Sequence, residues 1–410
     1  MFRHLQLAAL ALPLLVSSAR AQATAASLRE AAAAVGLNIG IATSSNEVRD
    51  AASGYATAAK SQFNMVVCEN EMKFESVERT IGQFNYSGGD GVSDFAAANQ
   101  MKMRGHNFIW HSQSTSAQNA VKDRASGLTI MRNHIEAVGA HFKDKIYEWD
   151  VLNEITDDGN GNKLRTGSSR PPSFWQANIG DDFADSALAM SRRVIGTSGH
   201  LYYNDYGADG VNGKSTAIFN LAKKWQANKV PIDGIGLQSH LGTGLNKQSI
   251  SDNIKRFGEI GLRISMTEID ITNSKTQDWV NLMDACLENF NCVSFVVWGL
   301  ADGNSWLRGN CGGCVLFSGS GNSAQPKTEI IQALIDAMKK ADPAIAARRK
   351  AFAAILPGSL GPNGVGVLQR PNLRRGAKNP SVLAPMPVFS IGPGDLVDPL
   401  GRATGISFPL

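Results

Sequence analysis

A short apolar run closes on two polar residues in the stretch Tyr147-Glu148-Trp149-Asp150-Val151-Leu152-Asn153-Glu154. Its β-branched and aromatic residues favour a buried strand, and the amide and carboxyl at its end suit a purpose other than filling a core. A second apolar stretch, Leu262–Thr267, is followed in the same way by Glu268. Two glutamates at the carboxyl ends of separate strands provide the pair of carboxyl groups that general acid/base chemistry requires.

Strand patterns of this kind alternate with helical patterns along the chain. The predicted strands are Leu37–Ala42, Phe63–Cys68, Met103–Ile109, Ile146–Leu152, His200–Tyr203, Gly234–Leu237, Arg263–Thr267 and Ser294–Trp298. The predicted helices are Glu47–Lys60, Gly91–Met101, Gly127–Phe142, Asp182–Val194, Ser215–Ala227, Ser249–Gly261, Asp278–Asn289 and Lys327–Lys340. Eight strand–helix units predict an α/β fold whose parallel strands close into a (β/α)8 TIM barrel, which takes about 250 residues. An open doubly wound sheet is the alternative, but Ala42-Thr43-Ser44-Ser45 is not the Gly-rich phosphate loop that it would need.

The amino-terminal segment has the pattern of a signal peptide. Arg3 and His4 precede an apolar run from Leu5 to Val16, and small residues lead to Ala21. We therefore expect residues 1–21 to be removed and the mature protein to be secreted and extracellular. The apolar run is too short to cross a bilayer, so no membrane contact is expected of the mature form.

The composition changes after Asp342. Residues 343–410 hold ten of the fifteen prolines, no Trp or Tyr, and eight Lys or Arg against two Asp. This predicts a catalytic domain at residues 22–342, complete by Lys340, and a disordered, Pro/Gly-rich basic tail at 343–410. Because the tail carries a charge of +6 in a chain of +4, the overall basicity does not indicate nucleic-acid binding.

Five cysteines in an exported chain indicate one or two disulfides. Cys286 and Cys292 lie six residues apart at a predicted helix–strand junction, whereas Cys311 and Cys314 lie in a Gly-rich loop. Cys68 falls within a strand and is predicted to be a buried free thiol. A CxxC pair can bind zinc, but no histidine lies at metal-site spacing from it, so we expect no metal.

Polar and aromatic residues gather where the predicted strands end, which is where barrel enzymes carry their active sites. They are Glu69-Asn70-Glu71-Met72-Lys73, Arg104-Gly105-His106, Trp110-His111-Ser112-Gln113, Asn153-Glu154, Asn204-Asp205-Tyr206, Gln238-Ser239-His240, Glu268, Asp270 and Trp298-Gly299. Carboxylates, amides and Trp faces together suit a ligand made of hydroxyls and C–H faces, which is a sugar. None of these segments resembles a phosphate cradle.

These motifs resemble glycoside hydrolase family 10, the endo-β-1,4-xylanases that fold as (β/α)8 barrels. The resemblance is carried in family order by Phe63-Asn64 with Glu69–Lys73, Arg104-Gly105-His106 with Trp110–Gln113, Trp149–Glu154, Tyr203–Tyr206, Asp233–His240 and Thr267–Asp270. Any one motif is weak, but six in order at family-like spacing are specific. The resemblance implies a monomer that cleaves internal bonds of xylan and xylo-oligosaccharides with retention of configuration and without a cofactor.

The resemblance also assigns roles to single residues. Glu154 is similar to the family's acid/base and Glu268 to its nucleophile, the two carboxyl groups that a retaining glycosidase holds about 5–5.5 Å apart. The negative charge of Glu268 is expected to help keep the proton on Glu154 until the glycosyl-enzyme forms. For a single strand-end glutamate, a salt bridge on the barrel rim is the ordinary alternative.

Further residues resemble the family's supporting and sugar-binding positions. Asp270 would orient His240, and His240 would donate a hydrogen bond to Glu268. Asn153 and Gln238 resemble contacts to the sugar at the cleaved bond. The remaining predicted sugar contacts are Glu69, Asn70, Lys73, His106, Trp110, Tyr206, Trp298 and Trp306, while Trp149 and Trp175 are assigned to the core. The family also pairs cysteines at the positions of Cys286 and Cys292.

The chain departs from the family pattern near the site. Phe74-Glu75 replaces the usual Trp-Asp, and Pro and Trp are missing after Gln113. Asn304 and Leu307 replace an Asp and an Arg around Trp306, and an insertion at Gly309–Cys314 follows. Two other functions stay open: a retaining barrel hydrolase of cellulosic or mixed glycans, and an inactive xylan-binding protein.

Overall fold

Eight parallel strands close into a barrel in the computed structural model, which describes residues 27–159 and 163–358. The strands follow one another around the ring in the order β6-β5-β4-β3-β2-β1-β9-β8, and pairing of β6 with β8 closes it. The barrel strands are β1 Asn38–Thr43, β2 Met65–Cys68, β3 Lys102–Ile109, β4 Glu148–Asn153, β5 His200–Asp205, β6 Gly234–Leu237, β8 Arg263–Ile271 and β9 Cys292–Val297. The predicted (β/α)8 TIM barrel is confirmed, and all eight predicted strands overlap these.

Three two-residue strands lie outside the ring. They are β7 His240–Leu241, which pairs with the end of β8, and the antiparallel pair β10 Phe317–Ser318 and β11 Gln325–Pro326. Short 3-10 helices cover Asp302–Asn304, Arg308–Asn310 and Gly321–Ser323.

Helices cover the outside of the barrel. They are α1 Leu28–Val35, α2 Ser45–Val48, α3 Gly54–Gln62, α4 Phe74–Val77, α5 Ser87–Ala98, α6 Thr115–Ala120, α7 Arg124–Phe142, α8 Phe174–Ile179, α9 Phe183–Ile195, α10 Gly213–Ala227, α11 Lys247–Glu259, α12 Thr276–Leu287, α13 Thr328–Lys340 and α14 Pro343–Ala353. None of the helices in the described part of the chain combines the length and the apolar character that a membrane span requires.

The helix predicted over Glu47–Lys60 is divided in two. Ser44 caps α2, and Ser53 accepts a hydrogen bond from the backbone N–H of Ala56 at the start of α3. Between the two helices, Asp50 accepts a hydrogen bond from the N–H of Ala52. Short polar side chains that bond their own backbone compete with the helix, so the segment breaks here.

Both cysteine pairs form disulfides in the structure. Cys286–Cys292 joins the end of α12 to the start of β9, and Cys311–Cys314 closes a turn in the loop after β9. Cys68 is buried and free, as predicted.

The domain boundary predicted after Asp342 is wrong, because α14 begins there and packs on the barrel. Asp342 caps this helix by accepting from the N–H of Ala344, and Pro343 occupies a first-turn position, where its fixed φ and missing N–H suit a helix start. The prolines after residue 342 predicted disorder, but the first of them, Pro343, starts a helix. The remainder of the predicted tail, residues 359–410, lies outside the described residues, as does the predicted signal peptide at 1–21.

Arg349 of α14 connects elements from the beginning and the end of the barrel domain. Its guanidinium is fully buried and donates to the backbone carbonyl oxygens of Val35, Cys286, Leu287, Asn289 and Cys292. These oxygens belong to the end of α1, the end of α12 with the turn after it, and the start of β9. Residues beyond 342 are therefore part of the domain.

Replacing Arg349 by Met should lower the free energy of unfolding by at least about 3 kcal/mol, because several buried carbonyl oxygens lose their donor at once. Chemical denaturation measures this difference. The matched control is Arg348→Met, since the neighbouring Arg348 is exposed and lies over the ring of Phe290. Equal stability losses in the two variants would contradict the role given to Arg349.

Candidate active site

The two predicted catalytic glutamates lie at the carboxyl-terminal end of the barrel. Glu154 directly follows β4, and its N–H donates to the carbonyl oxygen of Asn204 at 2.9 Å. Its backbone has a φ of +54°, a conformation that costs free energy in a residue with a side chain. Arg165 fixes this conformation, since its Nε donates to the carbonyl oxygen of Glu154 at 3.1 Å and its Nη2 to that of Thr156.

The carboxyl group of Glu154 is oriented by neutral donors. The indole Nε1 of Trp110 donates to Oε2 at 2.9 Å, and the amide of Gln238 donates to Oε1 at 3.0 Å. Asn153 also approaches Oε1, at 3.4 Å. Trp110 was predicted as a wall of the sugar site, and the structure shows in addition that it holds the carboxyl group of Glu154.

Glu268, in β8, is surrounded by groups that favour its ionised form. Asn204 donates to Oε1 at 2.7 Å, His240 bonds Oε2 at 3.3 Å, and His106 lies 3.9 Å from Oε1. Burial, the largest single influence, favours a raised pKa. The charges and hydrogen bonds of His106, His240 and Asn204 outweigh it and lower the pKa of Glu268 to about 2. The buried carboxylate is therefore ionised at neutral pH.

His240 connects Glu268 to Asp270. Its Nδ1 lies 2.9 Å from Oδ2 of Asp270, while its Nε2 faces Glu268. Burial alone would lower the pKa of His240, but hydrogen bonds to these two carboxylates raise it to about 10. The imidazole is therefore protonated and donates from both nitrogens. The sequence predicted both contacts, but not the charge of the imidazole.

A chain of amide groups joins the two glutamates. Asn153 accepts at Oδ1 from Asn204 at 2.9 Å and from Gln238 at 3.4 Å. Since Gln238 also donates to Glu154 and Asn204 to Glu268, one hydrogen-bond network spans both carboxyl groups. Asn204 was not predicted as a site residue, although its position in Tyr203-Asn204-Asp205-Tyr206 at the end of β5 was the available signal.

His106 is buried behind Glu268. Its Nδ1 lies 3.0 Å from Oδ2 of Asp150, and its ring meets Trp298 edge-on at 5.4 Å. Asp150 is in turn bound by the guanidinium of Arg104. Asp150 and Arg104 support the site from inside the barrel, and neither was predicted to do so.

Glu69, Asn70 and Lys73 form a cluster beside Trp110. The ammonium group of Lys73 donates to Asn70 at 3.0 Å and lies 5.3 Å from the centre of the Trp110 ring. Burial raises the pKa of Glu69 and lowers that of Lys73. These residues adjoin the site, and their contact with a sugar stays a prediction.

Tyr206 is held by Asp158 and Lys214. Its hydroxyl donates to Asp158, and the ammonium group of Lys214 lies 3.6 Å from the centre of its ring. Within the described residues, no hydrogen bond joins Tyr206 to Glu154 or Glu268. Its predicted sugar contact therefore rests on the resemblance alone.

Trp306 lies over the supporting pair. Its Nε1 donates to Oδ2 of Asp270 at 2.8 Å, and its ring centre is 5.1 Å from that of His240. Two of the departures from the family pattern lie beside it. Asn304 accepts from the N–H of Gly321 at 2.8 Å, and Leu307 packs against the apolar core.

The cysteine pair in this loop does not suit a metal. Ligand atoms of Asp302, Cys311 and Cys314 lie within 4.8 Å of one another. The two sulfurs are, however, bonded to each other, and Asp302 is paired with the ammonium group of Lys327. Neither thiolates nor a free carboxylate are left for a cation.

Several predicted core residues lie where the sequence placed them. Trp149 is buried and stacks on Phe108 at 4.4 Å, and Trp175 is buried with its Nε1 bonded to the carbonyl oxygen of Trp110. Phe74 stacks on the buried His134 at 3.9 Å. Its replacement of the family's Trp is thus a change within the core.

A (β/α)8 barrel with two carboxyl groups at the carboxyl ends of its strands, one of them strongly stabilised as the anion, defines a glycoside hydrolase. The profile of Glycosyl hydrolase family 10 matches residues 27–333. The chain belongs to this family.

Named relatives agree with this assignment. The chain is 37% identical over 304 residues to endo-1,4-beta-xylanase B of Neocallimastix patriciarum, a match that covers 71% of this chain and 33% of that one. It is 33% identical to endo-1,4-beta-xylanase 2 of Claviceps purpurea, over 62% of this chain and 75% of the relative. The crystal structure of native xylanase 10B from Thermotoga maritima superposes with a TM-score of 0.69 at 29% identity, over 77% of this chain and 98% of that one. The chain thus spans about a third of the first relative and three quarters of the second.

Replacing His240 by Asn should move the acid limb of the pH–activity profile to higher pH. Glu268 loses a charged donor, so its pKa rises from about 2 and less of it is ionised in acid. A hydrogen bond to a charged group is worth about 1.5–3 kcal/mol, which corresponds to roughly one to two pH units. The profile of kcat/KM against pH measures the shift.

The control is His141→Asn, because His141 forms a His–Asp pair with Asp90 on the surface of α7, away from the site. It should leave the acid limb in place. An unchanged acid limb in His240→Asn would show that His240 does not hold Glu268 in its ionised form.

Proposed function

We propose that the protein is a secreted endo-β-1,4-xylanase that hydrolyses internal bonds of xylan with retention of configuration. Glu268 is the nucleophile and Glu154 the acid/base. The observation that carries this proposal is the contrast between the two carboxyl groups of one hydrogen-bond network. Glu268 is buried yet ionised, with a pKa of about 2, whereas Glu154 is partly exposed and bound by neutral donors. The two relatives named above are endo-1,4-beta-xylanases, which supports xylan as the substrate.

In the first step, a carboxylate oxygen of Glu268 attacks the anomeric carbon of the sugar on the non-reducing side of the cleaved bond. The bond to the glycosidic oxygen breaks, and that oxygen takes the proton of Glu154 as it leaves. His240 and Asn204 keep the attacking carboxylate ionised and aligned, since both bond its oxygens before the sugar arrives.

In the second step, the glycosyl-enzyme ester is hydrolysed. Formation of the ester removes the negative charge of Glu268, and Glu154, now a carboxylate, accepts a proton from water. The water oxygen attacks the anomeric carbon from the face that the leaving group occupied, which restores the original configuration and frees Glu268. Trp110 and Gln238 hold the carboxyl group of Glu154 through both proton transfers.

We infer that the amide of Asn153 acts on the reacting sugar. Its Oδ1 is fixed by Asn204 and Gln238, so the orientation of the side chain is set by the network that joins the glutamates. An amide near the 2-hydroxyl forms a hydrogen bond that strengthens as the oxocarbenium character develops.

Export is supported by the signal-peptide pattern of residues 1–21 and fits a domain with two disulfides. Amino-terminal sequencing of the protein from the medium of an expressing host tests this proposal, with Gln22 expected as the first residue. Recovery of the uncleaved chain from the cell fraction alone would contradict export. Gel filtration tests the expected monomer.

Glu268→Ala should abolish turnover on xylan while leaving the fold intact, because its carboxylate forms the covalent bond. Added azide should restore activity on an aryl xyloside and give the α-xylosyl azide, since the small anion enters the space of the lost carboxylate. Product anomers are read by NMR. Residual activity above a few per cent, without azide, would mean that another group is the nucleophile.

Glu154→Ala should lose activity on xylan but retain much of the first step on aryl xylosides with good leaving groups. Such groups need no proton, so general acid help matters little for them. Burst kinetics separate the first step from hydrolysis of the intermediate. Equal losses of the first step on both kinds of substrate would argue against Glu154 as the acid.

Reducing-sugar release separates xylan from the competing substrates. Activity on xylan well above that on carboxymethyl cellulose is the expected result. The reverse preference would establish a hydrolase of cellulosic glycans, and binding of xylan without release would establish an inactive xylan-binding protein.

A further inference from the structure

We propose that the Cys311–Cys314 disulfide and Lys327 are positioning elements that hold Trp306 in place over the sugar site. The inference rests on the proposed function, since it takes the region between Trp306 and Glu268 to be occupied by a sugar. It concerns the inserted loop at Gly309–Cys314, which lies outside the family pattern.

Trp306 needs an anchor because burial does not fix it. Its side chain is 51% exposed, one of three exposed large apolar residues in the described part of the chain. The bond from its Nε1 to Asp270 sets where the edge of the indole lies, and the rest of the ring is free to contact a sugar. Movement of the loop that carries Trp306 would break this bond. It would also disturb Asp270, which bonds His240.

Backbone hydrogen bonds join the turn that the disulfide closes to the strand that carries the nucleophile. Cys311 and Cys314 are both buried. The carbonyl oxygen of Cys314 accepts from the N–H of Ile271 at 3.0 Å, and that of Cys311 accepts from the N–H of Asn273 at 3.3 Å. Ile271 directly follows Asp270, so the turn closed by the disulfide is bonded to the end of β8.

The glycines of this turn permit the close approach. Gly312 has a φ of +57°, and a Cβ at this position would lie 2.1 Å from Oδ1 of Asn273. The hydroxyl of Ser274 donates to the carbonyl oxygen of Gly313 at 2.7 Å. The turn therefore meets the end of β8 and the residues that follow it through two backbone hydrogen bonds and through the side chains of Asn273 and Ser274.

Lys327 connects the two ends of the segment that carries Trp306. Its ammonium group donates to the carbonyl oxygen of Val315 at 2.6 Å and is paired with Asp302 at 2.9 Å. Asp302 also accepts from the N–H of Val315 at 3.1 Å. Trp306 lies between residues 302 and 315, so Lys327 holds together the two ends of the segment that carries it.

The test compares the two disulfides of the same protein. Cys311→Ser/Cys314→Ser should raise KM for xylo-oligosaccharides about tenfold, with a smaller change in kcat, because a displaced ring weakens sugar binding. The matched control is Cys286→Ser/Cys292→Ser, which removes the disulfide between α12 and β9. It should lower Tm and leave KM unchanged when both are assayed well below their Tm.

Lys327 gives a second route that leaves both disulfides intact. Lys327→Met should raise KM in the same direction, and Lys327→Arg should restore it, because arginine can bond both Asp302 and the carbonyl oxygen of Val315. An unchanged KM in the serine double variant and in Lys327→Met would overturn the proposal, as would an equal rise in KM in the control disulfide variant.

A measurement without substrate separates this proposal from the proposed function. Acrylamide quenching is recorded for each variant with and without Trp306→Phe, and the difference reports the exposure of Trp306. A larger exposure in the serine double variant supports the positioning role even if the protein fails to hydrolyse xylan, and an unchanged exposure overturns it.

Discussion

A guanidinium group inside the barrel is the interaction on which the site depends. Arg104, in β3, is fully buried and bonds both Glu148 and Asp150 of β4. Glu148 also accepts from Ser265 of β8 and Ser294 of β9, so this ionic group joins strands on opposite sides of the ring. Removing one partner would leave an uncompensated charge in the core, which costs about 3–5 kcal/mol. The ionic core therefore couples the stability of the barrel to the position of Asp150.

The groups that surround Glu268 are connected to this ionic core. Asp150 is held by Arg104 and binds His106, and His106 faces Glu268. On the other side, Asp270 binds His240, and His240 bonds the same carboxylate. Two carboxylate–imidazole pairs thus flank Glu268. The hydrogen-bond donors to Glu154 are neutral groups. The two glutamates therefore differ in the charge of the side chains that bond their carboxyl groups.

The sequence predicted those parts of the structure that local patterns determine. Each strand was visible because a strand buried on both faces is a continuous apolar run, and the site was visible because such runs end in polar residues. The sequence did not predict the roles of Asn204, Arg104 and Arg165, because these roles depend on neighbours that are distant along the chain. The start of α14 was misread because proline disrupts a helix interior but favours its first turn.

The sequence predicted that Asp270 orients His240 and that His240 donates to Glu268, but it did not predict that the imidazole is charged. That charge follows from the two carboxylates, of Asp270 and Glu268, that bond its two nitrogens. The loop around Trp306 was identified as unusual from its residues, whereas its attachment to β8 is a matter of backbone contacts that no sequence pattern indicates.

The bond between Arg349 and Val35 has a consequence for how the chain is made. The two residues are 314 positions apart, so a ribosome adding about 5–20 residues per second delivers the arginine roughly 15 to 60 s after the carbonyl that it binds. Throughout that interval the carbonyl oxygen of Val35, at the end of α1, lacks the donor that it has in the folded protein. The segment that connects α1 to the end of the barrel is thus among the last of the domain to be synthesised. A nascent chain stalled before Arg349 lacks the hydrogen bond from Arg349 to Val35.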